Sequence, residues 1–342
     1  MAVNDNNQIH VGLTGPVRSG KTNLFVDFAK CVELNFHGFR QLHNIKIETD
    51  RVNRKLLRTY YRNLPDATES VTDIRFDLEL DLPQQEGPEP EGALENRQFT
   101  IHVRDAPGEA AFPSSDVAGK ANPHAEKAKE LDEWFSKAKG IVLVISALNA
   151  GTDEGFEALI DKVEDFFERA GKPEFQNLER VAIAISMFDL LLLRFGNRSR
   201  DIATEPEAVL AILHAHMRPA FDIIKDFRPF PSQERDIDLR FIATSSYGFH
   251  PQLGCANIDA NAEILDPGNS RFPVPLTPDN VRYPYMTADP FIFAALGLDS
   301  PFLFTRDEIL SGMLKERSPA AAAVQPAASA SATAETVDGP QG

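Results

Sequence analysis

Polar and apolar residues alternate one for one through "VTDIRFDLELDL". Ile74, Phe76, Leu78, Leu80 and Leu82 fall on one side, and Asp73, Arg75, Asp77, Glu79 and Asp81 on the other. A period of two predicts a strand with one buried face and one wet face. Shorter apolar runs predict strands over 9–14 and at "FTIHVRD", "GIVLVIS", "RVAIAIS" and "DLRFIAT". "GIVLVIS" is apolar up to its last residue, so it is expected to be covered on both faces. Elsewhere the spacing changes to three and four. Leu24, Phe25, Phe28, Val32 and Phe36 predict a helix over 21–36, and Leu159, Ile160, Val163, Phe166 and Phe167 one over 156–170. Further helices are expected over 51–64, 124–139, 290–296 and 306–315.

Alternation of this kind predicts an α/β fold with a doubly wound, mostly parallel sheet of six strands. One connection breaks the rule. "PQQEGPEPEGALENRQ" joins the alternating strand to "FTIHVRD" with no helix between them. Strands so linked are expected to be antiparallel neighbours, which gives one antiparallel edge strand. The expected organisation is a single domain over 1–317, with insertions at about 36–70 and 196–236 and an irregular, proline-rich extension over 250–317. Residues 318–342, "SPAAAAVQPAASASATAETVDGPQG", lack large apolar side chains and are expected to be a disordered tail.

Composition narrows the function. The net charge of −16 argues against nonspecific binding to nucleic acid or to an anionic membrane surface. No apolar stretch is long enough to span a membrane, so no membrane insertion is expected. Cys31 and Cys255 are the only cysteines, too few for a disulfide framework or a thiolate metal cluster. "MAVNDNNQ" lacks the basic-then-apolar pattern of a leader, and a reducing cytoplasm is the expected location.

The first predicted strand runs into "GPVRSGKT". Gly15-x-x-x-x-Gly20-Lys21-Thr22 matches the P-loop pattern, with a strand before it and a helix after it. The glycines let successive main-chain N–H groups turn inward around phosphate, and the helix adds its positive end. Gly15, Pro16, Val17, Arg18, Ser19, Gly20, Lys21, Thr22 and Asn23 form the expected phosphate cradle. Lys21 is expected to reach the β- and γ-phosphates, and the Thr22 hydroxyl to bind Mg²⁺.

"VRDAPGE" supplies a carboxylate, Asp105, at the end of an apolar strand, where it holds Mg²⁺ through water. Gly108 follows three residues later. This Asp-x-x-Gly resembles the switch II motif of Ras-like, translation-factor-class GTPases, and an antiparallel strand beside the Asp105 strand marks the same class. The resemblance implies a Ras-like sheet, GTP and GDP as ligands, and Mg²⁺. It implies that the Gly108 N–H meets the γ-phosphate. It places guanine on Asp189 of "SMFDLL", with Ser186 for the usual Asn/Thr and Met187 for the usual lysine. Asp189 also reads as a helix N-cap before "LLLLRF". "ATSSYGF" resembles the base-contacting loop, with Ser245 near the usual serine. The switch I threonine, a third Mg²⁺ contact, is expected in "NLPDATES": Thr68, with Ser70 and Thr72 as rivals. An ordinary polar turn is the plain alternative there.

Within the class, "LPDATES", "DAPGE" and "TADPFIFAAL" resemble the bacterial double-GTPase-type proteins. The "GPVR" run also resembles the P-loop of the sporulation coat-morphogenesis ATPase. Arg18 occupies the place of the P-loop arginine of guanylate-binding proteins and atlastins. That resemblance implies a built-in arginine finger turned inward by self-association, so the expected partner is a second copy or another protein. A solvated, paired arginine is the alternative. Glu109 stands where Ras-like enzymes orient water; it reads as a water-positioning group or as a surface residue. Arg51, Arg54, Lys55, Arg58 and Arg62 make a basic stripe that reads as a solvated face or as a dock for an acidic partner.

The expected function is Mg²⁺-dependent GTP binding and hydrolysis, as a switch or an assembly-controlled NTPase. The alternatives are an ATPase of the same class and a nucleotide-gated scaffold with little turnover.

Overall fold

β1 (Gln8–Thr14) runs through the middle of a single sheet. The computed structural model describes residues 8–16, 19–33, 37–39, 43–49, 72–83, 94–105, 129–130, 133–147, 177–226, 237–258 and 281–315. On one side of β1 stand β4 (Leu94–Asp105), β3 (Thr72–Pro83) and β2 (His43–Thr49), in that order. On the other stand β5 (Gly140–Ser146), β6 (Arg180–Ser186), β7 (Asp238–Ala243) and β8 (Phe304–Thr305). β4, β1, β5, β6 and β7 run parallel. β3 is antiparallel to β4, β2 to β3, and β8 to β7.

The sheet is mixed and mostly parallel, as expected, but it has eight strands instead of six. β3 is antiparallel to β4, as expected, yet it is not the edge, because β2 lies outside it. β2 comes from a stretch expected to be an insertion. "HNIKIET" offers only Ile45 and Ile47 as alternating apolar positions, too few to mark a strand by pattern. β8 has two residues, below any periodicity. β4 also starts earlier than its apolar run, at Leu94, and pairs with β3 along its whole length.

Burial follows the alternation. Ile74, Phe76, Leu78 and Leu80 of β3 are buried, while Asp77 is exposed. β5 is buried at every residue. α1 (Lys21–Glu33) lays Phe25 and Phe28 edge-on against Phe76, with ring centres 5.8 and 4.9 Å apart. Burying each such ring contributes roughly 2–3 kcal/mol, so α1 is fixed to the sheet by its apolar stripe.

Among the described residues between β6 and β7 stand α2 (Phe188–Leu192), α3 (Ser199–Ala203), α4 (Pro206–Met217) and α5 (Phe221–Asp226). The two late helices are present as α6 (Asp289–Leu296) and α7 (Arg306–Ser311). α6 crosses β5, β6 and β1 so closely that a Cβ on Gly140 would fall on the carbonyl of Ala294. Arg180 donates from Nε to Ala294 O (3.2 Å) and from Nη2 to Ala295 O (3.1 Å). It thus satisfies carbonyls that a helix end leaves open. Phe28 meets Phe291 of α6 at 5.2 Å, joining α1 to this late segment. The helices expected over 51–64 and 156–170, and the tail 318–342, lie outside the described residues.

Candidate functional site

Parallel strands end together, and the C-terminal ends of β1, β4, β6 and β7 lead into those candidate residues that lie within the described structure. Gly15 leaves β1 with φ +153°, and a Cβ there would fall on the carbonyl of Val144 in β5. Gly20 has φ +86°, a backbone favourable only to glycine, and starts α1. The loop between them is closed by Ser19 N donating to Pro16 O at 3.2 Å. Lys21 is buried and folds back over the loop, donating from Nζ to Gly15 O (2.8 Å) and Pro16 O (2.9 Å). Thr22 and Asn23 follow in the first turn of α1. The Ser19 hydroxyl is fully buried and has no hydrogen-bond partner among the described residues. Val17 and Arg18 lie outside the described residues, as do Thr68, Gly108 and Glu109.

Asp105 is the last residue of β4, and its Cα is the register partner of Leu13, two residues before Gly15. The strand register therefore brings the Asp105 backbone beside the start of the loop. By residue type Thr22 offers a hydroxyl and Asp105 a carboxylate, oxygen donors of the hard kind that Mg²⁺ prefers. The wider described structure contains no group of three or more His, Cys, Asp or Glu placed to hold a metal ion.

β6 ends at Ser186, whose hydroxyl donates to Ser19 O (2.5 Å) and Ile145 O (3.3 Å). Met187 follows in the left-handed conformation, φ 60° and ψ 32°, and turns the chain into α2. Its sulfur accepts from the Ser146 hydroxyl at 3.4 Å. A Cβ on Gly20 would lie 3.9 Å from the Met187 methyl, so the thioether stands against the loop. Asp189 is buried in the first turn of α2. The helix N-cap is Met187, without a side-chain cap, so the capping alternative for Asp189 is not what the structure has.

Burial pushes the Asp189 carboxyl up to about 7, against the pull of a hydrogen bond from Ser245 and of the main-chain N–H groups of Asp189 and Leu190. Its Oδ2 has no hydrogen-bond partner among the described residues. A buried carboxyl oxygen with no protein donor has its hydrogen bonding left open. Ser245 holds its place by accepting from Gly248 N at 2.8 Å. The structure therefore brings together Asp189 and Ser245, and separately Ser186 and the loop.

A second group escaped the sequence patterns. Asp27 of α1 faces Arg282, with Nη1 3.1 Å from Oδ2, and both side chains are buried. Arg282 also donates to Asn23 Oδ1 at 3.1 Å. Burial raises the Asp27 carboxyl to about 6, while Arg282 and a hydrogen bond from Ser246 pull it down. Asn23 and Asp27 share a helix face by their i, i+4 spacing. Nothing local marks Arg282 as their partner, since it comes from far along the chain.

No family model matches the chain, and no curated protein is similar to it. Two of the solved structures that resemble it are as follows. One is the bacterial selenocysteine-specific elongation factor EF-Sec, 12% identical with a TM-score of 0.28, over 69% of this chain and 25% of that one. The other is the S. cerevisiae Ski7 GTPase-like domain bound to GTP, 11% identical with a TM-score of 0.37, over 86% and 52%. This chain thus spans a quarter of the first and about half of the second. No helix among the described residues is long and apolar enough to cross a membrane.

Proposed function

We propose that this chain is a Mg²⁺-dependent GTP-binding and GTP-hydrolysing protein, a switch or an assembly-controlled NTPase of the translation-factor and Ras-like class. One observation carries the reading. A glycine loop closed by a buried lysine lies one hydrogen bond, Ser186 to Ser19, from the strand that presents Asp189. That spacing suits a ligand with a phosphate chain at one end and a hydrogen-bonding base at the other. Lys21 and the loop amides hold the β- and γ-phosphates, Thr22 and Asp105 with Thr68 hold Mg²⁺, and Asp189 and Ser245 read guanine. Bound Mg²⁺ supplies charge neutralisation between the phosphates. Arg18, Gly108 and Glu109 serve hydrolysis, with Arg18 turned inward by a second copy or a partner protein. Residues 1–317 are taken as this one domain.

Calorimetric titration of the purified chain with GTP, ATP and xanthosine triphosphate, with and without Mg²⁺, tests the reading. Magnesium-dependent affinity strongest for GTP is the expected result. Absence of affinity for any purine triphosphate overturns it. A second reading, ATP use, is favoured by Met187: a thioether stands beside Gly20 where the class has a cation to lie against guanine. ATP binding more tightly than GTP in the same titration would select it. A scaffold with little turnover would instead bind GTP, fail to release phosphate and scatter light on nucleotide-dependent assembly.

A further inference from the structure

The segment from Arg282 to Thr287 touches both ends of the proposed site. At its start, the Arg282 guanidinium lies between Asp27 and Asn23 of α1. At its end, the Thr287 hydroxyl donates to Asp27 O at 3.1 Å. Between these anchors it pairs with the loop after β7. Tyr285 N donates to Ser245 O at 2.7 Å and Ser245 N to Tyr285 O at 3.0 Å; Tyr283 N donates to Tyr247 O at 3.1 Å. Gly248 has φ +65° and a Cβ there would fall on the carbonyl of Tyr283, so the two strands touch without a side chain between them. Burial pushes the Tyr247 hydroxyl, in the same loop, up to about 12, with Arg282 pulling it down and Asp189 and Asp27 adding to the rise.

α1 also has anchors outside the late segment, its apolar stripe on β3 and the loop that springs from β1. The loop over 245–248 leans on the late segment. Loosening the late segment therefore displaces Ser245 and its hydrogen bond to Asp189 before it displaces Lys21. Resting on the nucleotide reading above, we infer that Arg282 is a positioning residue that couples recognition of the base to recognition of the phosphate chain. The planar, always-charged guanidinium suits the task. It meets a carboxylate and an amide oxygen on successive turns of one helix, where a lysine offers a single compact charge.

The test compares GTP with inorganic tripolyphosphate, both with Mg²⁺, on the full chain by calorimetry. Arg282→Met alone would leave the Asp27 charge buried and unpaired, so it is made together with Asp27→Leu, the exchange that buried ion pairs tolerate best. Arg282→Lys is the conservative variant. In the double variant GTP affinity is expected to fall on the order of tenfold, while tripolyphosphate affinity stays within about twofold. Arg282→Lys is expected to lie between the double variant and the wild type. Adding Asp189→Asn to the double variant should cost less GTP affinity than Asp189→Asn costs alone, because the base contact is already impaired. Equal losses for GTP and tripolyphosphate, or no loss for either, overturn the inference while leaving the nucleotide reading intact. A wild type that binds neither ligand overturns both.

Discussion

Ser186, the last residue of β6, donates its hydroxyl to the main-chain carbonyl of Ser19, inside the glycine loop. The same hydroxyl lies 3.3 Å from Ile145 O in β5. One small side chain thus ties the loop to two strand ends, and its burial makes the tie intolerant of loss. Ser186→Ala leaves the Ser19 carbonyl without this donor and is expected to cost about 1–2 kcal/mol in urea denaturation. It should also weaken binding of magnesium tripolyphosphate, since the loop shape is no longer held. Unchanged affinity would show that Gly15, Gly20 and Lys21 keep the loop in shape without Ser186.

Asp189 gives a pH prediction with a definite sign. Its carboxyl is raised from the ordinary 3.8 to about 7 by burial, so the folded chain holds the proton more tightly than the unfolded chain. Its stabilising contribution is complete below about pH 4 and is lost as pH rises through about 7. Asp189→Asn cannot titrate. Its stability relative to wild type should therefore climb from pH 5 to pH 8, by on the order of a few kcal/mol, and level off above. Urea midpoints across that range measure the gap, and a constant gap would place the Asp189 side chain in water. The same variant should shift nucleotide preference from guanine toward xanthine; an unchanged preference would remove Asp189 from base recognition.

Arg18 lies outside the described residues, and its prediction stands on its place in the loop sequence. A guanidinium between the β- and γ-phosphates stabilises charge that develops only during hydrolysis. Arg18→Ala is accordingly expected to slow single-turnover GTP hydrolysis by about 10³-fold while leaving GTP affinity nearly unchanged. Parallel losses in both would make Arg18 a binding residue. Mass measurement with GDP and a transition-state mimic checks the self-association that would bring it inward.

The strands with strong patterns were legible because their signal is local. β3 alternates over its full length and β5 is apolar almost throughout, so period and burial agree without help from tertiary structure. The loop was legible because Gly15, Gly20 and Lys21 must lie close in sequence to close one turn. β2 and β8 were not, because an edge strand needs few apolar residues and borrows its order from its neighbour. Arg282 was invisible for a different reason: it pairs with Asp27 across 255 residues, and a lone arginine in a proline-rich stretch looks like any solvated charge. "TADPFIF" carried a hint, since its aspartate precedes a run of large apolar residues. In the structure Asp289 is fully buried, accepting from Gly38 N at 2.8 Å and the Ser300 hydroxyl at 3.2 Å. Such residues become readable only when the sheet order brings the late segment onto α1.

Gly248 tests that late contact through stability alone. Its φ of +65° costs any other residue about 1–2 kcal/mol. A methyl group there would also meet the Tyr283 carbonyl, which is main chain and held by its neighbours' hydrogen bonds. Gly248→Ala is therefore expected to lower stability by more than the backbone conformation alone demands, on the order of 3 kcal/mol. The loss should appear as a lower urea midpoint, together with weaker binding of GTP than of tripolyphosphate relative to wild type. Gly196 offers a contrast: at φ 55° and ψ −126° alanine is strongly disfavoured by the backbone, yet a Cβ there meets nothing within 4 Å, so any loss in Gly196→Ala is backbone cost without a collision. If Gly248→Ala loses no more than the about 1–2 kcal/mol its backbone demands, the chain around Tyr283 yields easily, and the loop over 245–248 does not depend on it for its position.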